Sequence, residues 1–452
     1  MNISTKIFLS LILLFTFGGQ TKAEDVNDWI LEQLNGSINF RHVNYEEMYT
    51  KIMDNSAKIA RILSAMTFAE YCNAYALDSN TVNIIDIILE KYTDEELKGN
   101  NVSYLLDKKY YLMVMQNRYD EIERMACYID SRWQRDPVMA KKAACWHQVA
   151  KEGKGIRPVS IRREKNVVRL APDTSNGYMM INAVVNQKKD ARFMIDTGMM
   201  SSTILSRKLA NQINVHMLPD SVFFNNAINP DATYSRQLGI VDSLHIEGIT
   251  FYNLPVWVYD EVKEYECDGI IGSPDLTRLE YMELSPDSII FRYPVPEGDK
   301  TPNFTMGAGI KGERCICLPY IIDGHKSSFI LDTGSDSFMF PPQYTGRKEG
   351  FFMEIGKMKV WVEGKFKPHD FASHKDSHGI LGRPILKSFE RLCFNFRDAH
   401  VDYILKPDIN HTEYHYDGAQ LNKYHHVERI FQWRKQKGLF LWIKLFSRLE
   451  NI

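Results

Sequence analysis

Between Val26 and Lys154 apolar side chains return every three to four positions: at Trp29, Ile30 and Leu34, from Ile52 to Met66, from Val82 to Leu89, from Tyr110 to Tyr128 and from Met139 to Val149. That period stacks them on one face of successive helices. Proline, which would break such helices, occurs in this stretch only at Pro137. The pattern predicts an all-α helical domain over 24–155, built of antiparallel hairpins with no clean repeat period. After Gly155 the texture changes to short apolar or alternating runs, among them 178–181, 193–195, 256–259 and 288–291, punctuated by Asn, Asp, Gly and Pro. These predict strands. Two such β regions, 165–293 and 309–405, flank a stretch of proline and glycine, 294–309, that reads as a linker.

The two ends have patterns of their own. Lys6 precedes an apolar run from Ile7 to Phe17, broken only by Ser10 and Thr16, and Thr21-Lys22-Ala23 follows. Residues 1–23 read as a secretory signal peptide cut after Ala23, since a core of about 11 residues is short of the roughly 20 that cross a bilayer. An uncleaved N-terminal anchor is the alternative. Either way the bulk of the chain is expected to be exported: secreted, periplasmic or lumenal. In the C-terminal tail, 406–452, Arg434, Lys435, Lys437 and Lys444 interleave with Phe431, Trp433, Phe440, Trp442 and Phe446. One reading is a basic amphipathic helix in peripheral contact with a membrane. The other is a helix packed on the β regions, with Gly438 interrupting its stripe.

The chain of 452 residues is long enough for two or three such units. Its 55 basic and 57 acidic residues leave a net charge of −2, a balance that offers no field to a polyanion and argues against a nucleic-acid partner. Cysteines stand at 72, 127, 145, 267, 315, 317 and 393. Seven is odd, so at least one thiol is free or pairs between chains. None lies in a zinc-type spacing, and His411, His415, His425 and His426 in the tail lack a ligand frame, so neither metal nor cofactor is expected. Asn35, Asn101, Asn303 and Asn410 each begin a glycosylation sequon.

The chemistry is concentrated in two segments, Phe193-Met194-Ile195-Asp196-Thr197-Gly198 and Phe329-Ile330-Leu331-Asp332-Thr333-Gly334. Each is an apolar strand that ends in Asp-Thr-Gly. One such triplet would be a chance turn. Here each is followed by a second signal, Asp268-Gly269-Ile270-Ile271-Gly272 and His378-Gly379-Ile380-Leu381-Gly382. The correspondence continues at one constant offset, Pro274 with Pro384, Leu276 with Leu386 and Glu280 with Glu390, as an internal duplication would produce. No Gly-x-Ser-x-Gly elbow, His-Glu-x-x-His or phosphate loop accompanies it.

These paired motifs resemble the aspartic peptidase superfamily over roughly 167–405, in the form of a single-chain tandem of retropepsin-like lobes fused as in pepsin. The resemblance implies a multidomain α+β protein, an N-terminal all-α helical domain followed by a bilobed all-β acid-protease barrel fold. It further implies a monomer with intramolecular lobe pairing and a peptide or protein substrate. Asp196 and Asp332 would be the catalytic pair, since two carboxylates in hydrogen-bonding distance share a proton and act as base and acid on water and the peptide carbonyl. Thr197, Gly198, Thr333, Gly334 and Ser335 would support them, the threonines by bonding across the lobe interface and Ser335 by its hydroxyl. Met199 stands where Ser335 has its counterpart. The first region is longer than the second between its two signals, and the excess falls near 223–239. That places a flap hairpin there, with Tyr234 as its candidate tip aromatic, or else a plain surface loop. Asp268 and Asp336 read as turn or supporting residues. A catalytically silent peptide- or protein-binding member of the fold is the alternative function, and the helical domain reads either as a cover for the cleft or as a recruiter of substrate.

Overall fold

The computed structural model describes residues 78–406 apart from 100–102, 176, 188, 226–232, 260–265, 302, 309–313, 323, 336–350, 357 and 363–377. It also describes 27–29, 62, 65, 66, 69 and 72, and 414–417, 420–421, 427–428 and 432–435. The expected signal peptide lies outside the described residues.

Helices α1 (Asp78–Lys91), α2 (Asp94–Gly99), α3 (Ser103–Val114), α4 (Tyr119–Trp133) and α5 (Pro137–Glu152) follow the predicted periodicity. On α4, Ile122, Met125, Ala126 and Ile129 are buried, one face at three-to-four spacing. The start of α5 is fixed by Asp136, whose carboxylate accepts from the N–H groups of Val138 and Met139 at 2.9 and 3.2 Å, with Pro137 in the first turn where no donor is needed. It ends at Gly153, where any Cβ would stand 2.3 Å from the Tyr119 ring, so glycine lets the end of α5 close on the start of α4.

Beyond the helices the chain is mostly β. The first part gives β1 (Ser160–Arg163), β2 (Val167–Leu170), β3 (Met180–Val185), β4 (Lys189–Asp196), β5 (Ile204–Ser206), β6 (His216–Asn225), β7 (Thr233–Ile246), β8 (Ile249–Tyr259) and β9 (Gly269–Gly272), then β10 (Tyr281–Leu284) and β11 (Ile289–Arg292). An eight-stranded sheet runs β1-β8-β5-β9-β4-β3-β7-β6, and a further β7–β8 pairing curls it toward a barrel. The second part gives β12 (Thr305–Ala308), β13 (Arg314–Ile322), β14 (His325–Asp332), β15 (Phe351–Ile355), β16 (Met358–Val362), β17 (His378–Gly382), β18 (Phe389–Asn395) and β19 (His400–Leu405), then β20 (Tyr414–Asp417), β21 (Gln420–Leu421), β22 (Val427–Glu428) and β23 (Gln432–Lys435). Another eight-stranded sheet follows the order β17-β14-β13-β15-β16-β20-β23 with β12 on β13. β12 thus forms within the stretch that reads as a linker. The third sheet, β19-β18-β10-β11-β2, draws strands from both parts of the chain.

The tail departs from expectation where it is described. Tyr414–Asp417 pairs antiparallel with Gln432–Lys435, Tyr416 opposite Trp433, so these residues are extended and not helical. Alternating aromatic and polar residues over four positions suit a strand as well as a helix, and cross-strand pairing decides between them. No helix among the described residues is long and apolar enough to cross a membrane.

Strand alternation divides the first sheet between two apolar clusters. Phe193, Ile195 and Ile271 face a large cluster that continues through Phe329, Leu331 and Leu381 of the second part. The opposite face, with Met180, Met194, Ile204, Leu218, Leu238, Ile240, Trp257 and Ile270, is buried together with the helical side chains, among them Trp146, Val149 and Met125. Each such burial stabilises by about 1.5–3 kcal/mol, so the helices and this face form one hydrophobic unit.

Candidate active site

β4 and β14 are the strands that carry the two Asp-Thr-Gly turns. Each is held by a parallel partner in the same register: β9 beside β4 with Asp196 opposite Gly272, and β17 beside β14 with Asp332 opposite Gly382. The apolar-apolar-Gly signals are therefore the neighbours that clamp the Asp strands. Gly272 is glycine because a Cβ there would meet the Ser201 carbonyl oxygen at 2.2 Å.

The turns meet. Thr197 Oγ1 donates to the Leu331 carbonyl at 2.7 Å and accepts from Thr333 N–H at 3.1 Å; Thr333 Oγ1 donates to the Ile195 carbonyl at 2.8 Å and accepts from Thr197 N–H at 3.1 Å. Both threonines are fully buried. The approach leaves no room for a side chain at either glycine: a Cβ on Gly198 would sit 2.4 Å from Asp332 Cγ, and one on Gly334 2.6 Å from Asp196 Oδ2. Asp196 Oδ1 accepts from Gly198 N–H at 2.8 Å and Met199 N–H at 3.0 Å. Asp332 Oδ1 accepts from Gly334 N–H at 2.9 Å, and Ser335 supplies a further backbone donor to that carboxyl. Main-chain donors thus serve both carboxyls alike.

Burial raises both carboxyl pKa values, and for Asp332 the neighbouring Asp196 charge raises it further, well above the ordinary carboxylate range. The two side chains hydrogen-bond to each other, so together they hold a proton. An acid and a base then stand one hydrogen bond apart.

Other expectations resolve as follows. Asp268 accepts from Arg192 N–H at 3.0 Å and stays in a supporting place. Tyr234 lies on β7, opposite Phe224 of β6; the connecting turn of that hairpin, 226–232, lies outside the described residues, as does Asp336.

A buried carboxylate that sequence reasoning missed is Asp275. It accepts from Ser202 Oγ at 2.6 Å, Thr203 N–H at 2.7 Å and Thr203 Oγ1 at 2.8 Å, which fastens the segment following the first Asp-Thr-Gly. Its other oxygen takes Arg278 Nε at 3.0 Å, and Arg278 Nη2 reaches the Met115 carbonyl just past α3 at 2.5 Å. A continuous chain of bonds thus runs from the helical region to the Asp196 loop. The signal was available: at the constant offset of the duplication, Asp275 stands against Ile385, a charge against an aliphatic side chain.

Residues 181–274 match the aspartyl protease family model, a span that contains Asp196 and Gly272 but not the second triplet. Among solved structures the chain is similar to a retropepsin-like aspartic protease from Rickettsia conorii, with 19% identity over 30% of this chain and 94% of that one, at a TM-score of 0.21. No curated protein matches it. The segment similar to the aspartyl protease family thus carries one Asp-Thr-Gly turn, and the duplicated turn outside that segment is bonded against it.

Proposed function

We propose that the protein is an exported aspartic endopeptidase, bilobed and monomeric, whose catalytic pair is Asp196 and Asp332. The observation that carries this is the meeting of two buried carboxyls on turns aligned by reciprocal threonine bonds, an arrangement that favours a shared proton. In the reaction, ionised Asp196 takes a proton from a water as it attacks the peptide carbonyl, while protonated Asp332 gives its proton to the carbonyl oxygen. The resulting tetrahedral diol collapses with proton transfer to the departing amine, and the pair returns to its singly protonated form. One lobe supplies each carboxyl, so lobe pairing within one chain replaces dimerisation. Export rests on the signal-like residues 1–23.

The helical domain of this reading is permanent. Its core is continuous with the sheet face that carries Met194, two residues before Asp196 and on the same side of β4. It therefore walls the first lobe beside the site and restricts which substrates reach it. The test is incubation of the purified protein with an unfolded mixed substrate across pH, beside Asp196→Asn. Cleavage by the wild type alone supports the reading; a folded wild type that binds peptides without cutting them favours the silent member of the fold.

A further inference from the structure

On α4, Glu123, Cys127 and Asp130 follow at spacings of four and three, which places all three on one helix face. From α5, packed alongside, His147 reaches into them. His147 Nδ1 is 2.9 Å from Glu123 Oε1, and Nε2 is 2.9 Å from Asp130 Oδ2. Cys127 Sγ lies 3.9 Å from Glu123 Oε1. The thiol, the imidazole nitrogen and the carboxylate oxygen all fall within 4.8 Å of one another, with Glu123 and Cys127 open to solvent.

We propose that Glu123, Cys127 and His147 form a divalent-metal site of the zinc class, with Asp130 orienting the imidazole. A thiolate, an imidazole and a carboxylate make the borderline-soft donor set that zinc prefers. A metal-bound histidine commonly has its other ring N–H held by a carboxylate, and Asp130 stands in that place. On binding, the metal would replace the proton that Nδ1 shares with Glu123 and the thiol proton of Cys127, both released to solvent, while Asp130 keeps the Nε2 N–H. Tetrahedral zinc bonds of 2.0–2.3 Å set ligand atoms roughly 3.3–3.8 Å apart, so closure asks about 1 Å of the exposed side chains. A simple ion-pair clamp between the helices would need His147, Glu123 and Asp130 but has no use for Cys127. Solvent takes the fourth position, and metal binding would cross-link α4 to α5. Nothing in this depends on peptidase activity.

The experiment uses the full, reduced, metal-stripped chain, titrated with Zn(II) against a chromophoric chelator and separately with Co(II). Stoichiometric uptake is expected, with a thiolate-to-cobalt charge-transfer band. Both should vanish in Cys127→Ser and His147→Ala, and Asp130→Asn should weaken binding about 10–100-fold. Cys127→Ser removes only an exposed thiol, and unchanged circular dichroism without metal establishes that its loss of binding is not unfolding. Absence of stoichiometric uptake by the wild type overturns the proposal. So does a band that persists in Cys127→Ser, which would put the metal on the other thiols.

Discussion

The two Asp-Thr-Gly turns are nearly superimposable in their bonds yet rest on different supports. Behind the first, Asp275 anchors Ser202 and Thr203, Arg278 ties that anchor to Met115, and the helices bury Met194 and Ile270. Behind the second, the position corresponding to Asp275 is the buried Ile385, and the matching face is a small patch of Cys315, Cys317, Ile330 and Ile380 with Met200 against it. The main chain around the carboxyls is therefore conserved between the halves, while the structure beneath it diverges. Chemistry constrains the turn, and only packing constrains its footing.

That contrast can be broken at four places. Asp196→Asn or Asp332→Asn should each lower turnover by about 10³-fold or more, since an amide cannot perform either proton transfer; comparable turnover in either mutant sinks the pair. Asp332→Asn should also be more heat-stable than the wild type at neutral pH. The folded-state pKa of Asp332 is raised, so its contribution is fully present below about pH 4 and is lost as pH rises through the raised value. The gap in Tm should accordingly open with increasing pH and close in acid. Next, Asp275→Leu strands the Arg278 guanidinium and three donors and should destabilise by about 3–5 kcal/mol in urea unfolding, whereas Ile385→Val should lose only about 0.5–1.5 kcal/mol. Equal effects would mean the supports do not differ. Thr197→Val and Thr333→Val should be equivalent, each leaving a buried carbonyl and an N–H unsatisfied at about 1–3 kcal/mol apiece; a large inequality would show that the meeting of the turns is not reciprocal in energy. Arg278→Lys cannot hold both Asp275 and the Met115 carbonyl and should reduce stability by about 1.5–3 kcal/mol, less than Asp275→Leu, with kcat falling while KM holds.

Much of this was legible in the sequence. The Asp-Thr-Gly and apolar-apolar-Gly pairs identified the clamped strands because a period of two and a required glycine leave local marks. Ile122, Met125, Ala126 and Ile129 announced a helix face in the same way. What stayed hidden depends on distant partners. Asp275 looks like a turn residue until Ser202 and Thr203 fold over it. Thr305–Ala308 looks like linker because Pro302 precedes it and Gly307 lies within it, and only pairing with β13 makes it a strand. Glu123 and Cys127 belong to one helix and His147 to the next, so their proximity follows from interhelix register, which spacing along the chain does not encode. Aromatic and basic residues at 432–435 satisfied two periods at once.

The five-stranded sheet has a consequence for how the chain reaches this state. β10, made early, finds its neighbour β18 only after the whole second Asp-Thr-Gly region has been synthesised, with Met282 then pairing to Phe394. Until that moment the edge of β10 is unsatisfied and apolar, able to recruit the same edge of another chain. Pairing across so long a stretch closes late and slowly. A fragment ending near Gly309 would keep that edge open for good, so its natural fate is self-association rather than a tidy half-enzyme, and the complete chain depends on being kept apart from its copies until its last strands arrive.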